Sequence, residues 1–184
     1  MKAFIAIDIP EALYKSVKRF QSSLNRANIF DATWTIEYHI TLKFLGYITA
    51  EKQLKNIITK LENISKRNSS FTAELKGIGG FPYKTSPRVV WIGVGEGGDK
   101  INALQKMIND EFVKLNFESE TTYTNHLTLA RVKAITNKPA WLDISKSNEN
   151  KSFGKFKVNS IKLYESKLRQ GRFRYNIVKE FILA

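Results

Sequence analysis

Two histidines are the only imidazoles in this 184-residue chain, and both stand in one pattern. His39-Ile40-Thr41-Leu42 and His126-Leu127-Thr128-Leu129 each carry a threonine two positions after the histidine, with an apolar residue between. Imidazole titrates near neutral pH, so a pair can supply one base and one acid together. That combination suits displacement at phosphorus, where water must lose a proton and an alkoxide leaving group must gain one. Negative charge then builds on the non-bridging oxygens. Hydroxyl donors such as Thr41 and Thr128, and cations such as Lys43 or Arg131, can stabilise it there. With two histidines and no cysteine, the chain is poorly supplied with metal ligands, and no metal or cofactor is expected. A structural His-Thr pair copied within the chain, without chemistry, is the competing reading.

A spacing of two is the period of a strand, whose side chains alternate between faces. In the first motif Ile40, Leu42 and Phe44 alternate with His39, Thr41 and Lys43. Phe44 is therefore expected in the core, and Lys43 beside His39 and Thr41. The same alternation puts Arg131 on the face opposite His126, unless the strand ends or bulges before it.

The elements that must position these strands follow from pattern. Lys2 to Ile9 reads as an interior strand, and Pro10 opens a helix carrying Leu13, Val17, Phe20 and Leu24. Asn28 to Glu37 reads as a polar loop, and Gly46 as the end of the first motif strand. A helix through Leu54, Ile57, Ile58 and Leu61 precedes a strand from Phe71 to Gly80. The run from Gly79 to Pro87 reads as a turn-rich loop, and Val89 to Val94 as a buried strand. Asp99 can cap a helix carrying Ile101, Leu104, Met107, Ile108 and Phe112. After the second motif strand, Pro139 opens a short helix, and Ser147 to Ser152 is a loop. Phe156 to Ser166 and Phe173 to Phe181 read as strands around a turn at Gly171.

The two histidines lie 87 positions apart, and the same offset carries Phe4 onto Trp91. Each half runs strand, helix, motif strand, helix, strand, strand. The expected architecture is α+β and bilobal. Two pseudo-symmetric lobes, each an antiparallel sheet with helices packed outside, turn their motif strands toward a central cleft. Residues 1–184 form one domain of two intertwined lobes that arose by internal duplication.

Composition narrows the setting. The net charge of +13 favours a polyanionic partner. Between Lys151 and Lys179 stand nine Lys and Arg against the single acid Glu165. The opening apolar run stops at Asp8 and Pro10, and no stretch is long enough for a membrane span. A cytoplasmic monomer is expected.

The motifs His39-Ile-Thr-Leu-Lys-Phe-Leu-Gly46 and His126-Leu-Thr-Leu-Ala-Arg131 resemble those of the 2H phosphoesterases. Within that superfamily the chain is most similar to the bacterial and archaeal RNA 2′,3′-cyclic phosphodiesterases, also called 2′-5′ RNA ligases. Phe4 to Pro10, Phe81-Pro82 through Trp91 and Leu163 to Leu168 resemble its less specific blocks. The step from Trp34 to His39 is about two residues shorter than the family spacing. The resemblance implies metal-free hydrolysis of a terminal 2′,3′-cyclic phosphate on RNA, tRNA fragments among the candidates, to a 2′-phosphomonoester. It also implies the reverse joining reaction. His39 would be the base that activates water, His126 the acid that protonates the 3′ oxygen, and Thr41, Thr128 and Arg131 the phosphate ligands. Small cyclic nucleotides or 2′-5′ linkages as substrates, and phosphate binding to RNA without catalysis, are the alternatives.

Overall fold

The computed structural model describes residues 1–169 and 172–184, so the turn expected at Gly171 lies outside the described residues. Thirteen elements follow one another: β1 (Lys2–Asp8), α1 (Glu11–Arg26), β2 (Phe30–Trp34), β3 (His39–Tyr47), α2 (Glu51–Lys66), β4 (Phe71–Tyr83), β5 (Ser86–Val94), α3 (Gly98–Val113), β6 (His126–Ile135), α4 (Lys138–Ser147), β7 (Ser152–Val158), β8 (Ser160–Arg169) and β9 (Arg172–Ile182). The fold is α+β.

All nine strands join one antiparallel sheet in the order β7-β4-β5-β6-β3-β1-β8-β9, with β2 on β6. Its two halves meet at the motif strands, where Ile40 opposite Leu127 is the one registered pair between β3 and β6. Each half draws on both ends of the chain. The early strand β4 pairs with β5, and the late strand β8 returns to β1. The helix after β1 likewise crosses over: α1 packs on β7 and β2, while α3 packs on β3 and β4, and α2 on β9 and α3. One hydrophobic cluster runs through both halves, from Ile5 and Ile7 to Ile92, Leu127 and Trp141.

Several local departures from the expected pattern have clear causes. Phe30 to Trp34, expected within a polar loop, is a strand whose short alternation leaves Phe30 buried. The run expected as one strand from Phe156 to Ser166 breaks at Asn159 into β7 and β8, which serve opposite halves of the sheet. The stretch from Gly79 to Pro87 is a hairpin rather than a loop, with β4 reaching Tyr83 and β5 starting at Ser86. Gly79 fits inside that strand because the Trp91 ring lies across it, 2.3 Å from where a Cβ would sit. Asp99 does not cap α3. Gly97 occupies that position at φ +77, and Asp99 stands in the first turn.

The equivalence of Phe4 with Trp91 also shifts. Trp91 lies opposite Thr128 as Ala6 lies opposite Thr41, so β1 and β5 are related by the 85 positions from Ala6 to Trp91. The motif strands themselves keep the 87-residue offset.

Candidate active site

The Ile40–Leu127 pair sets the geometry of the site. These two residues are 87 apart, so the pair maps onto itself when the halves are exchanged. In an antiparallel ladder their neighbours then alternate on the other face: His39 and Thr41 from β3, Thr128 and His126 from β6. His39 falls opposite Thr128, and Thr41 opposite His126. The two histidines are diagonal neighbours, whose Cα atoms lie about 7–8 Å apart at this spacing in a regular ladder. Both histidines and both threonines are half-buried, while Ile40, Leu42, Leu127 and Leu129 are buried.

Beyond the threonines both strands break their alternation at the same place. β3 slips register against β1 at Leu42, and β6 slips against β5 at Leu129. The burial patterns run in parallel: Leu42 and Lys43 are both inside and Phe44 is outside, just as Leu129 and Ala130 are inside and Arg131 is outside. A bulge adds one residue and so reverses the parity of everything after it. Arg131 therefore comes round to the face of His126 and Thr128, the bulged alternative that strict alternation left open.

The same device removes Lys43 from the site. Expected beside His39 as a phosphate-facing cation, Lys43 is only 1% exposed. Its Nζ donates to Asn109 Oδ1 at 2.9 Å and to the Glu118 carbonyl at 2.8 Å, with the Glu120 carboxylate at 3.7 Å. Phe44, expected in the core, is 63% exposed on the site face instead. The extra residue in the strand exchanges the two side chains.

A family profile described as the 2′-5′ RNA ligase superfamily matches residues 9–170. The chain belongs to this superfamily. It is 35% identical over 181 residues to an RNA 2′,3′-cyclic phosphodiesterase of Methanocaldococcus jannaschii, covering 98% of this chain and 100% of that one. A protein of the same description from Aquifex aeolicus is 31% identical, with 100% and 98% covered. Among solved structures, TT0787 of Thermus thermophilus superposes with a TM-score of 0.81 at 22% identity over 100% of this chain and 98% of the other. The Escherichia coli LigT complex with 3′-AMP does so with a TM-score of 0.78 at 24% identity, over 99% and 97%.

In this 2′-5′ RNA ligase superfamily member each motif histidine is oriented from behind by the backbone two residues upstream. His126 Nδ1 lies 2.7 Å from the Thr124 carbonyl, and the His39 ring bonds the backbone of Glu37. A carbonyl can only accept, so the His126 Nδ1 carries a proton and Nε2 is the nitrogen free to exchange one. Aromatic rings fix the remaining freedom. Phe4 lies 5.0 Å from the His39 ring and Tyr175 meets it edge-on at 5.1 Å. Phe81 meets His126 edge-on at 5.0 Å, with Trp91 at 6.2 Å. Tyr164 and Phe81 hold matching stations, Tyr164 opposite Phe4 and Phe81 opposite Val89.

The two rings differ in charge environment. Burial, chiefly, lowers His39 from 6.5 to about 4; His126 and Arg131 add to the effect, and Asp8 and the Glu37 bond oppose it. His126 is also lowered, by burial first and by Arg131, against the Thr124 bond. Arg131 thus acts on both imidazoles at once, as a cation placed between the two motifs would.

Three further residues support the site. Asp8 stands opposite His39 in the ladder and accepts from Lys162 Nζ at 2.7 Å and from the Tyr164 hydroxyl. Gln21 occupies a buried helical position and ties the bulge to the approach loop. Its Nε2 donates to Leu129 O at 2.9 Å and to Thr35 O at 2.8 Å, and Tyr38 donates to its Oε1 at 2.8 Å. Tyr123 donates to the Thr41 carbonyl at 3.0 Å beside the other bulge. Only the failure of a polar residue to leave the apolar stripe of α1 could have pointed to Gln21. A cavity of about 270 Å³ opens alongside His126 and Thr41, walled by Phe44, Phe81, Tyr123 and Thr124. Among the described residues no three His, Asp or Glu side chains cluster as metal ligands would.

Proposed function

We propose that this protein is an RNA 2′,3′-cyclic phosphodiesterase, opening a terminal cyclic phosphate to a 2′-phosphomonoester by histidine acid/base catalysis without metal. The observation that carries the reading is the convergence of His39, Thr41, His126, Thr128 and Arg131 on one sheet face around the Ile40–Leu127 pair. Relatives of that description matching almost end to end support it.

His39, held neutral by its depressed pKa, takes a proton from water as the water oxygen bonds to phosphorus. The bond from phosphorus to the 3′ oxygen breaks, and His126 delivers a proton to that oxygen. A bound phosphodiester is an anion, and it offsets the burial and the Arg131 charge that hold His126 low in the free protein. Binding the substrate therefore loads the acid. Thr41 and Thr128 donate their hydroxyls to the non-bridging oxygens, and Arg131 neutralises the charge gathered there. The same steps, with a 5′-hydroxyl in place of water, join two ends through a 2′-5′ linkage: the 5′ oxygen bonds to phosphorus as His39 takes its proton, and the 3′ oxygen leaves with the proton from His126. We further infer that the chain is one domain made by duplication. The matched bulges, carbonyl partners and motifs support that history.

The test is incubation of the purified protein, in chelator, with an oligoribonucleotide ending in a 2′,3′-cyclic phosphate. A 2′-phosphate product is expected. A 3′-phosphate product, or no turnover until a divalent ion is added, would overturn the assignment.

A further inference from the structure

Large apolar side chains are exposed on the site face well beyond the histidines. Strand partners directly opposite one another share a face. From His39 outward the ladder of β1 and β3 runs Asp8–His39, Ala6–Thr41, Phe4–Phe44 and Lys2–Tyr47. β8 and β9 continue it with Tyr164–Ile177, Ser166–Tyr175 and Leu168–Phe173. On this one face Tyr47 is 74% exposed, Leu168 65%, Phe44 63%, Ile177 55% and Phe173 48%. Helices cover the other face: α3 packs on β3 and α2 on β9. Phe4, Ala6, Tyr164 and Tyr175 form a small cluster of their own, apart from the main core.

The strip is net positive by one charge, with Lys2, Lys162 and Arg131 against Asp8 and Glu180. Its acids, Asp8 and Glu180, are both engaged by Lys162, at 2.7 and 3.7 Å. Lys2 makes no ion pair among the described residues; its Nζ lies 5.7 Å from the centre of the Phe173 ring. Arg131 stands at the inner end. The seven residues from Asp8 to Lys2 span roughly 20 Å of strand, room for several nucleotides beyond the one at the histidines. Aromatic rings spaced along a positively charged sheet face are what single-stranded nucleic acid binds, its bases stacking without regard to sequence. A second copy of the chain would bring the same positive face against itself.

We propose that this strip is a platform for single-stranded RNA. Bases upstream of the terminal nucleotide stack on Phe44, Tyr47 and Phe173 while Lys2 meets the phosphate backbone. The platform rests on the reading of the site as an RNA phosphodiesterase and names the form of RNA it takes: an unpaired end several nucleotides long.

The experiment compares 2′,3′-cyclic CMP with a single-stranded decaribonucleotide ending in a cyclic phosphate, using the intact chain and a Tyr47→Ala/Phe173→Ala double variant. The expected result is a fall in kcat/KM of at least about tenfold on the decamer, with the mononucleotide rate within about twofold of the parent. Tyr47→Trp and Phe173→Trp should keep the decamer rate. Equal losses on both substrates, or an unchanged decamer rate, would overturn the platform. So would a dimer seen by sedimentation that the double variant abolishes. If the parent turns over neither substrate, it is the phosphodiesterase reading that has failed. Binding of the same decamer with a 3′-hydroxyl then judges the platform alone: at least about tenfold weaker binding by the double variant supports it, and equal binding overturns it.

Discussion

His39 and His126 match in sequence, yet their surroundings hold them unequally. Replacing either by Ala should cost at least about a hundredfold in turnover, the usual size of a general acid or base contribution. Steady-state rates on the cyclic-ended oligonucleotide check this, and retained turnover would remove that residue from the pair. Because His39 sits near 4 and His126 below 6.5 in the free protein, kcat/KM should form a bell whose falling alkaline limb lies below about 6.5. The corresponding limb in kcat should lie higher, since bound phosphate favours the imidazolium. Arg131 lowers both rings, so Arg131→Met should move both limbs of kcat/KM upward while reducing the rate. Limbs that stay in place would show that the guanidinium does not act on the histidines. Stability follows the same sign. Between about 4 and 6.5 the unfolded state binds a proton that native His39 refuses, so stability is present above this window and is lost as pH falls through it. Thermal midpoints across that range, with His39→Gln flattening the slope, are the measurement.

At the scale of the element, the paired bulges decide which side chains reach the cleft. Leu42 and Leu129 are the inserted residues, and their presence turns Phe44 and Arg131 outward and Lys43 and Ala130 inward. A bulge leaves backbone groups without ladder partners. Gln21 serves Leu129 O beside one bulge, Tyr123 serves Thr41 O beside the other, and Lys43 ties the second bulge to the loop around Glu118 and Glu120. That loop leads to Thr124, the residue behind His126. Lys43→Met should therefore destabilise the fold by about 1–3 kcal/mol, because Asn109 and the Glu118 carbonyl lose a buried donor. Denaturant unfolding reads the loss. If Lys43 instead contacted substrate, the variant would keep its stability and lose affinity for phosphate.

Across the whole molecule the exchange of strands makes each half incomplete without the other. β4 finds its partners in β5 and β7, and β1 finds one of its two in β8. Residues 1–84 alone leave both strands with open edges and α1 without β7 to pack on. Neither this fragment nor residues 85–184 should unfold cooperatively by itself, and mixing them should restore a cooperative transition. A sharp melt from residues 1–84 alone would show that each half of the chain is an independent unit.

The repeated His-x-Thr pattern was enough to name both pairs of polar residues and to place each pair on one strand face, because a period of two needs no long-range information. Most of the order of helices and strands followed from the same local rules, and the superfamily from the resemblance of the two motifs to known ones. The bulge in β6 stood open among the alternatives for Arg131, but that in β3 could not be read, because Ile40-Thr41-Leu42-Lys43-Phe44 alternates without a fault. Nothing local says that the lysine goes in and the phenylalanine out. Strand β2 was missed for a related reason: five residues of weak alternation become a strand only when β6 offers an edge. Pairing between strands far apart in the chain fixed the parity of Arg131, the burial of Lys43 and the meeting of the two motifs at Ile40 and Leu127. Those are choices made by hydrogen-bond register and packing, which no window of sequence contains.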